Sequence, residues 1–137
     1  MTKVTCRFLI SLLAFFFYGP ANAEYFNLAK YAWTNRLVIL VTDKKNTELE
    51  RQVREFFANN VCEINDRNLK FFYFSHDKMT MAQLPKKINA RRGMWLIGYD
   101  GLIKDFSEDG QVLNRLFQTI DKMPMRQDEM THGSACR

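Results

Sequence analysis

The run Leu37-Val38-Ile39-Leu40-Val41 constrains the fold more than any other segment of this chain. Five aliphatic residues in a row, without polar alternation, suit a strand buried on both faces, and Asn35-Arg36 and Thr42-Asp43 bound it. The pattern then turns helical. Thr47 and Glu50 have the spacing of a capping box, and Leu49, Val53, Phe56 and Phe57 recur at helical intervals until Asn59-Asn60 stops them. Arg67 and Asn68 lead into an aromatic-rich strand at 69–74. Strand, helix and second buried strand make a βαβ unit with a parallel pair and a right-handed crossover.

The second half changes character. A short helix is expected at 81–90, with Pro85 in it or at its start. Apolar runs at 94–98 and 102–106 flank Asp100-Gly101, which predicts a tight hairpin with positive φ at both central positions. Ser107 or Asp109 caps a last helix whose apolar set is Val112, Leu113, Leu116, Phe117 and Ile120. Pro124 forces Met123 out of the helical region and removes a donor, so this helix ends near Asp121 or Lys122. Met123 and Met125 flank the bend, where flexible thioethers fill the gap between helix end and sheet. Arg126 is expected at a partly exposed helix end, reaching back to carbonyls or to a carboxylate such as Asp121. The order is β-α-β, then α, then β-β-α. It predicts an α/β, thioredoxin-like fold: a central mixed sheet with helices on both faces.

Residues 1–23 carry Lys3 and Arg7, an apolar run, a break at Gly19-Pro20 and then Ala21-Asn22-Ala23. This is the layout of a secretory signal peptide with an A-x-A cleavage site, and the run is too short for the roughly 20 apolar residues of a membrane span. Export to the periplasm or the extracellular space is expected, with no stable membrane insertion after cleavage. Removing 23 of the 137 residues leaves 114, enough for a single domain at 24–126 followed by a flexible tail at 127–137. Loss of Lys3 and Arg7 lowers the formal charge from +5 to +3, too mild for a dedicated nucleic-acid binder. Lys86, Lys87, Arg91 and Arg92 read as the solvated end of a helix.

In thioredoxin-like enzymes the reactive thiol follows the first strand, at the start of the next helix, where the helix dipole lowers its pKa. Here that place is 42–47, Thr-Asp-Lys-Lys-Asn-Thr, and it holds no cysteine. No C-x-x-C occurs, and Ala90-Arg91-Arg92-Gly93 stands where such enzymes keep a cis proline. Cys62 and Cys136 either pair with each other or stay free. His76, Met79 and Met81 are soft-metal ligand types, but a methionine-rich loop accounts for them and no metal site is assigned. No catalytic residue and no cofactor is expected.

Trp33 with Arg36, Asp66-Arg67-Asn68-Leu69, Gly98-Tyr99-Asp100-Gly101 with Lys104, and Ile120-Asp121-Lys122-Met123-Pro124-Met125-Arg126 with Glu129 together resemble the secreted DUDES domain, or domain of unknown function 4174. The resemblance implies a thioredoxin-like fold close to peroxiredoxins, found in exported bacterial proteins and beside sushi repeats in animal matrix proteins, without an established activity. The expected function is that of an exported module binding another protein or a cell-envelope component. Its candidate interaction residues are Arg67, Asp100, Gly101, Lys104, Met123, Pro124, Met125 and Arg126. The alternative is a thiol-redox or peroxiredoxin-like enzyme working through Cys62 or Cys136.

Overall fold

The computed structural model describes residues 26–44, 47–75, 84–134 and Cys136. The leader at 1–23, the His76, Met79 and Met81 stretch and the first turn of the helix expected at 81–90 lie outside the described residues.

The aliphatic run forms the strand β1, Arg36–Thr42, with all seven residues buried. It pairs in parallel with β2, Leu69–Ser75, and antiparallel with β3, Gly93–Ile97, which in turn pairs antiparallel with β4, Ile103–Ser107. The sheet order is β2-β1-β3-β4. Helix α1, Glu48–Asn59, starts where the capping box placed it, the Thr47 hydroxyl accepting the Glu50 N–H at 3.1 Å. Asn59-Asn60 bends the chain without ending helical structure. The Asn60 amide donates to the Phe56 carbonyl at 2.7 Å, and α2, Val61–Asp66, follows at once and buries Ile64. Helix α3 is the single turn Lys86–Asn89 behind Pro85.

Alternation along β1 sends its side chains into two cores. Val38 and Leu40 join Met94 and Leu96 beneath Val53 of α1, Ile64 of α2 and Leu116 and Ile120 of α4, Val112–Asp121. Leu37, Ile39 and Val41 join Trp95 and Ile97 on the other face, under Ile88 of α3 and a 3-10 helix, Leu28–Tyr31. The fold is therefore α/β with helices on both faces of a mixed sheet, the thioredoxin-like arrangement.

Two local expectations are revised. The β3–β4 hairpin closes through Gly101 N–H to Gly98 carbonyl and Gly98 N–H to Leu102 carbonyl, each 3.0 Å, with positive φ at Gly101 and not at Asp100. It is a turn over Tyr99-Asp100 with glycine in the following left-handed position, the Asp100 carboxylate accepting the Leu102 N–H. At the other end, α4 stops at Asp121 as Pro124 requires, but Pro124 then opens α5, Pro124–Thr131. Proline fits the first position of a helix, where its missing N–H has no partner to lose. Helix thus extends into the segment expected to be a flexible tail, and a Cys62–Cys136 disulfide, with 5.8 Å between Cα atoms, fastens the chain beyond it. No helix among the described residues is long and apolar enough to cross a membrane.

Candidate functional site

At the Thr42 end of β1, where a thioredoxin-like enzyme would hold its thiol, Thr42, Tyr73 and Asp43 are bonded, while the buried hydroxyl of Ser75, beside Thr42 on β2, has no partner among the described residues. The Thr42 hydroxyl donates to the Lys44 carbonyl at 2.7 Å and lies 3.0 Å from the Tyr73 hydroxyl, while Arg92 pairs with Asp43 at 2.5 Å. Neither Cys62 nor Cys136 is near. The disulfide joins the start of α2 to the chain end, which closes the choice left open between paired and free thiols.

The opposite end of the sheet carries a network of three buried arginines. Arg36, first in β1, sends both terminal nitrogens to Glu129 of α5, at 3.1 and 3.2 Å, and one of them also to the Arg67 carbonyl at 2.9 Å. Its guanidinium lies 3.9 Å from the centre of the Tyr99 ring. Arg67, in the turn entering β2, grips both oxygens of Asp121 at 2.9 and 2.7 Å and also pairs with Glu63. Arg126 of α5 reaches the Asp66 carboxylate at 2.5 Å, the Asp66 carbonyl at 2.8 Å, Asp121 at 3.2 Å and Glu129 at 3.3 Å. Burial alone would lower the pKa of Arg67 and of Arg126, but the carboxylates bonded to them outweigh it and hold both above the ordinary arginine value. Arg126 therefore does meet Asp121, but as a buried cation, 2% exposed, and not as a surface cap. Glu63, Asp66 and Cys136 offer ligand atoms within 4.8 Å of one another, yet the two carboxylates are engaged by Arg67 and Arg126 and the sulfur is in the disulfide.

Beside the network opens a cavity of about 540 Å³. Arg36 and Tyr99 form its inner wall; Met123, Pro124 and Met125, at the start of α5, form a second. Trp33, Lys104 and Lys122 also line it. Lys104 is held by Asp100 at 2.6 Å, an approach that needs Gly98, because a Cβ there would stand 2.5 Å from the lysine Cε. Lys122 is exposed and makes no ion pair among the described residues. Trp33 is 67% exposed and has a φ of 63°, a conformation that bulky residues rarely adopt, held by its N–H bonding the Tyr99 carbonyl at 2.7 Å. Arg36 Nε is buried and has no hydrogen-bond partner among the described residues.

The family model described as domain of unknown function DUF4174 matches residues 27–129. The chain belongs to the DUF4174 family. No curated protein and no solved structure matches it. The DUF4174 segment ends at Glu129, the carboxylate that clamps Arg36, so it encloses the whole network and the cavity. Cys136 falls beyond it.

The structure divides the eight sequence-derived candidates in two. Arg67 and Arg126 are buried in the network, whereas Asp100, Lys104, Met123, Pro124 and Met125 line the cavity, with Gly101 in the adjoining turn. Arg36, Tyr99, Trp33 and Lys122 were not among them. Arg36 carried a signal nonetheless, since an arginine abutting an unbroken aliphatic run is buried with that run and must find a carboxylate.

Proposed function

We propose that this DUF4174 chain is an exported, non-redox binding domain whose ligand enters the cavity between Arg36, Trp33 and the start of α5. One observation carries the reading. At this end of the sheet the chain displays an aromatic side chain in a costly backbone conformation, next to a cavity of ligand size, while its rigid network fixes the inner wall. Strain of this kind, on the order of 1–3 kcal/mol, persists where the surroundings enforce it and commonly marks functional sites. The bonded Thr42 hydroxyl and the joining of Cys62 to Cys136 in a disulfide support a non-redox role. On this reading any kinship to peroxiredoxins is one of body and not of chemistry. The signal-like residues 1–23 support export to the periplasm or the extracellular space.

The test is a two-dimensional NMR screen of the disulfide-bonded chain against a mixed set of small acids, amines and neutral amphiphiles. Shifts should cluster at Trp33, Tyr99, Lys104 and Met125. Shifts confined to Thr42, Asp43 and Lys44, or turnover of insulin disulfides or peroxide that is lost on Cys62→Ser, would overturn the reading. Export is checked by sequencing the N-terminus of the recovered protein: Glu24 is expected, and Met1 on the major species contradicts it.

A further inference from the structure

We infer that the cavity holds a neutral oligosaccharide, one sugar ring stacked on the Trp33 indole and its hydroxyls bonded by the Asp100–Lys104 pair and Thr119. The inference rests on the binding reading above and names the ligand class.

Charge excludes the ionic classes first. Arg36 is clamped by Glu129 through both terminal nitrogens, and Lys104 is held by Asp100. Lys122, the remaining cation of the lining, stands exposed in water. The inner wall is therefore charge-balanced, and neither an acid nor an amine finds an unpaired counter-charge there.

A paired carboxylate and ammonium still bond outward. Asp100 accepts from the Leu102 N–H at 3.0 Å and from Lys104 Nζ at 2.6 Å, which leaves lone pairs on the carboxylate and two donors on the ammonium. Both side chains remain about one-third exposed, at 32% and 31%. The Thr119 hydroxyl and the Trp33 indole N–H also line the cavity and make no bond to any described residue. Donors and acceptors thus alternate around one opening, which suits a ligand whose neighbouring groups each donate and accept. Vicinal hydroxyls do both.

Trp33 sets the other half of the ligand. Its N–H is tied to the Tyr99 carbonyl, so the backbone is fixed while the indole plane stays in water. A pyranose is amphipathic in the matching sense: C–H bonds cover a ring face and hydroxyls surround it, so the face covers the indole while the rim meets the polar groups. A wholly apolar ligand would cut Asp100, Lys104 and Thr119 off from water without replacing their bonds. An extended peptide needs open backbone to pair with, and here Trp33 with Tyr99, Gly98 with Leu102 and Gly101 with Gly98 have already used theirs.

A second cavity sets the length. It measures about 490 Å³, is lined by the 3-10 helix, Pro85 and Gly101, and shares Asp100 with the first. A chain of sugar rings passing Asp100 reaches both cavities, which a single ring does not.

The probes are cellotriose, maltotriose, tri-N-acetylchitotriose, glucose, mannitol and a tripeptide ending in phenylalanine, each titrated into the disulfide-bonded chain by NMR. At least one trisaccharide should shift Trp33, Asp100 and Thr119 and bind about tenfold or more tightly than glucose. Mannitol, which has the hydroxyls without a ring face, should not bind. The affinity should hold within about twofold between about 0.05 and about 0.5 M salt, as a neutral ligand requires. Trp33→Ala should weaken the trisaccharide about tenfold, Trp33→Phe should retain part of the affinity, and Thr119→Val should cost about threefold, each with native spectral dispersion. Equal binding of mannitol, or an affinity untouched by Trp33→Ala, overturns the sugar assignment. A steep loss with salt overturns the neutral ligand, and an affinity no better than that of glucose overturns the chain. If no sugar moves a cavity resonance, the assignment falls, and the screen of acids, amines and amphiphiles decides the binding reading separately. Preference for the tripeptide over every trisaccharide overturns the sugar in favour of a peptide.

Discussion

Replacing Arg126 by methionine should destabilise the domain by about 3 kcal/mol, because the change takes the guanidinium away from a buried carboxylate. The side chain is 3% exposed and Asp66, its closest partner, is 6% exposed. Breaking a buried pair from one side costs about 3–5 kcal/mol, the charge left behind being neither hydrated nor paired. The low end applies, since the other two partners keep arginines of their own: Asp121 keeps Arg67, and Glu129 keeps Arg36. Asp66 keeps its bond to the Ser134 hydroxyl, at 2.8 Å, which replaces none of the lost charge. Methionine preserves the apolar stem, so the loss reports the charge and not the volume. In urea, with a slope of about 1.5 kcal/mol/M, the midpoint of the oxidised protein should fall by about 2 M. Removing the carboxylate charge as well should restore part of it: Asp66→Asn combined with Arg126→Met should be less damaging than the sum of the two singles, with a coupling of about 1–3 kcal/mol. A midpoint within about 0.5 M of the parent, the outcome for an exposed helix-end arginine, would refute the reasoning.

Trp33→Gly should raise stability by about 0.5–1 kcal/mol, because glycine accepts the left-handed conformation and the lost side chain is largely exposed; an unchanged or lower melting temperature would show that the strain is absent. Reducing the Cys62–Cys136 disulfide, which closes a separation of 74 residues, should lower stability by about 4 kcal/mol on the chain-entropy model, read from urea midpoints with and without reductant. Met123→Ala should cost about 1–2 kcal/mol, roughly half the loss at a fully buried methionine, since Met123 packs half-buried against the core; an unchanged midpoint defeats the packing role. The bonds from Arg115 hold the Asp105 carboxyl below the usual range, so the stability it contributes is present above the unfolded carboxyl value of about 4 and is lost as pH falls through the lower folded value. Arg115→Gln should therefore flatten the acid limb of the stability curve below about pH 4, measured by melting temperature against pH.

What was legible in the sequence was local. The aliphatic run of β1, the Thr47 cap and the stop before Pro124 each depend on residues within a few positions, and each stands in the structure where it was read. Helices α2 and α5 escaped for a common reason. Of the six residues of α2 only Ile64 is buried, and of the eight of α5 only Arg126, so neither shows an apolar stripe at helical spacing. A helix fastened by ion pairs announces itself only through its partners, and Asp66 lies 60 positions from Arg126. The cavity escaped likewise. Trp33, the hairpin that carries Tyr99 and Lys104, and Met125 come from three stretches that are distant in sequence and meet only in the fold.

The division of the DUF4174 motif between network and cavity has a physical logic. Apolar packing fixes a helix loosely, because many side-chain arrangements fill similar volume, whereas bidentate guanidinium pairs demand direction as well as distance. Helix α5 is held by Arg36 on Glu129 and by Arg126 on Asp66, contacts to two different elements, and this pins the helix along its length. Its first residues are the cavity wall. A buried ion pair is poor value for stability alone, since matched apolar residues often serve as well or better. Its advantage here is placement: the same arginines that carry the network's cost set Met123, Pro124 and Met125 opposite Trp33, and Arg36 belongs to both. An apolar replacement of the Arg126–Asp66 pair can therefore retain a folded domain and still lose the cavity, because what it gives up is the position of α5 and not the burial of its surface.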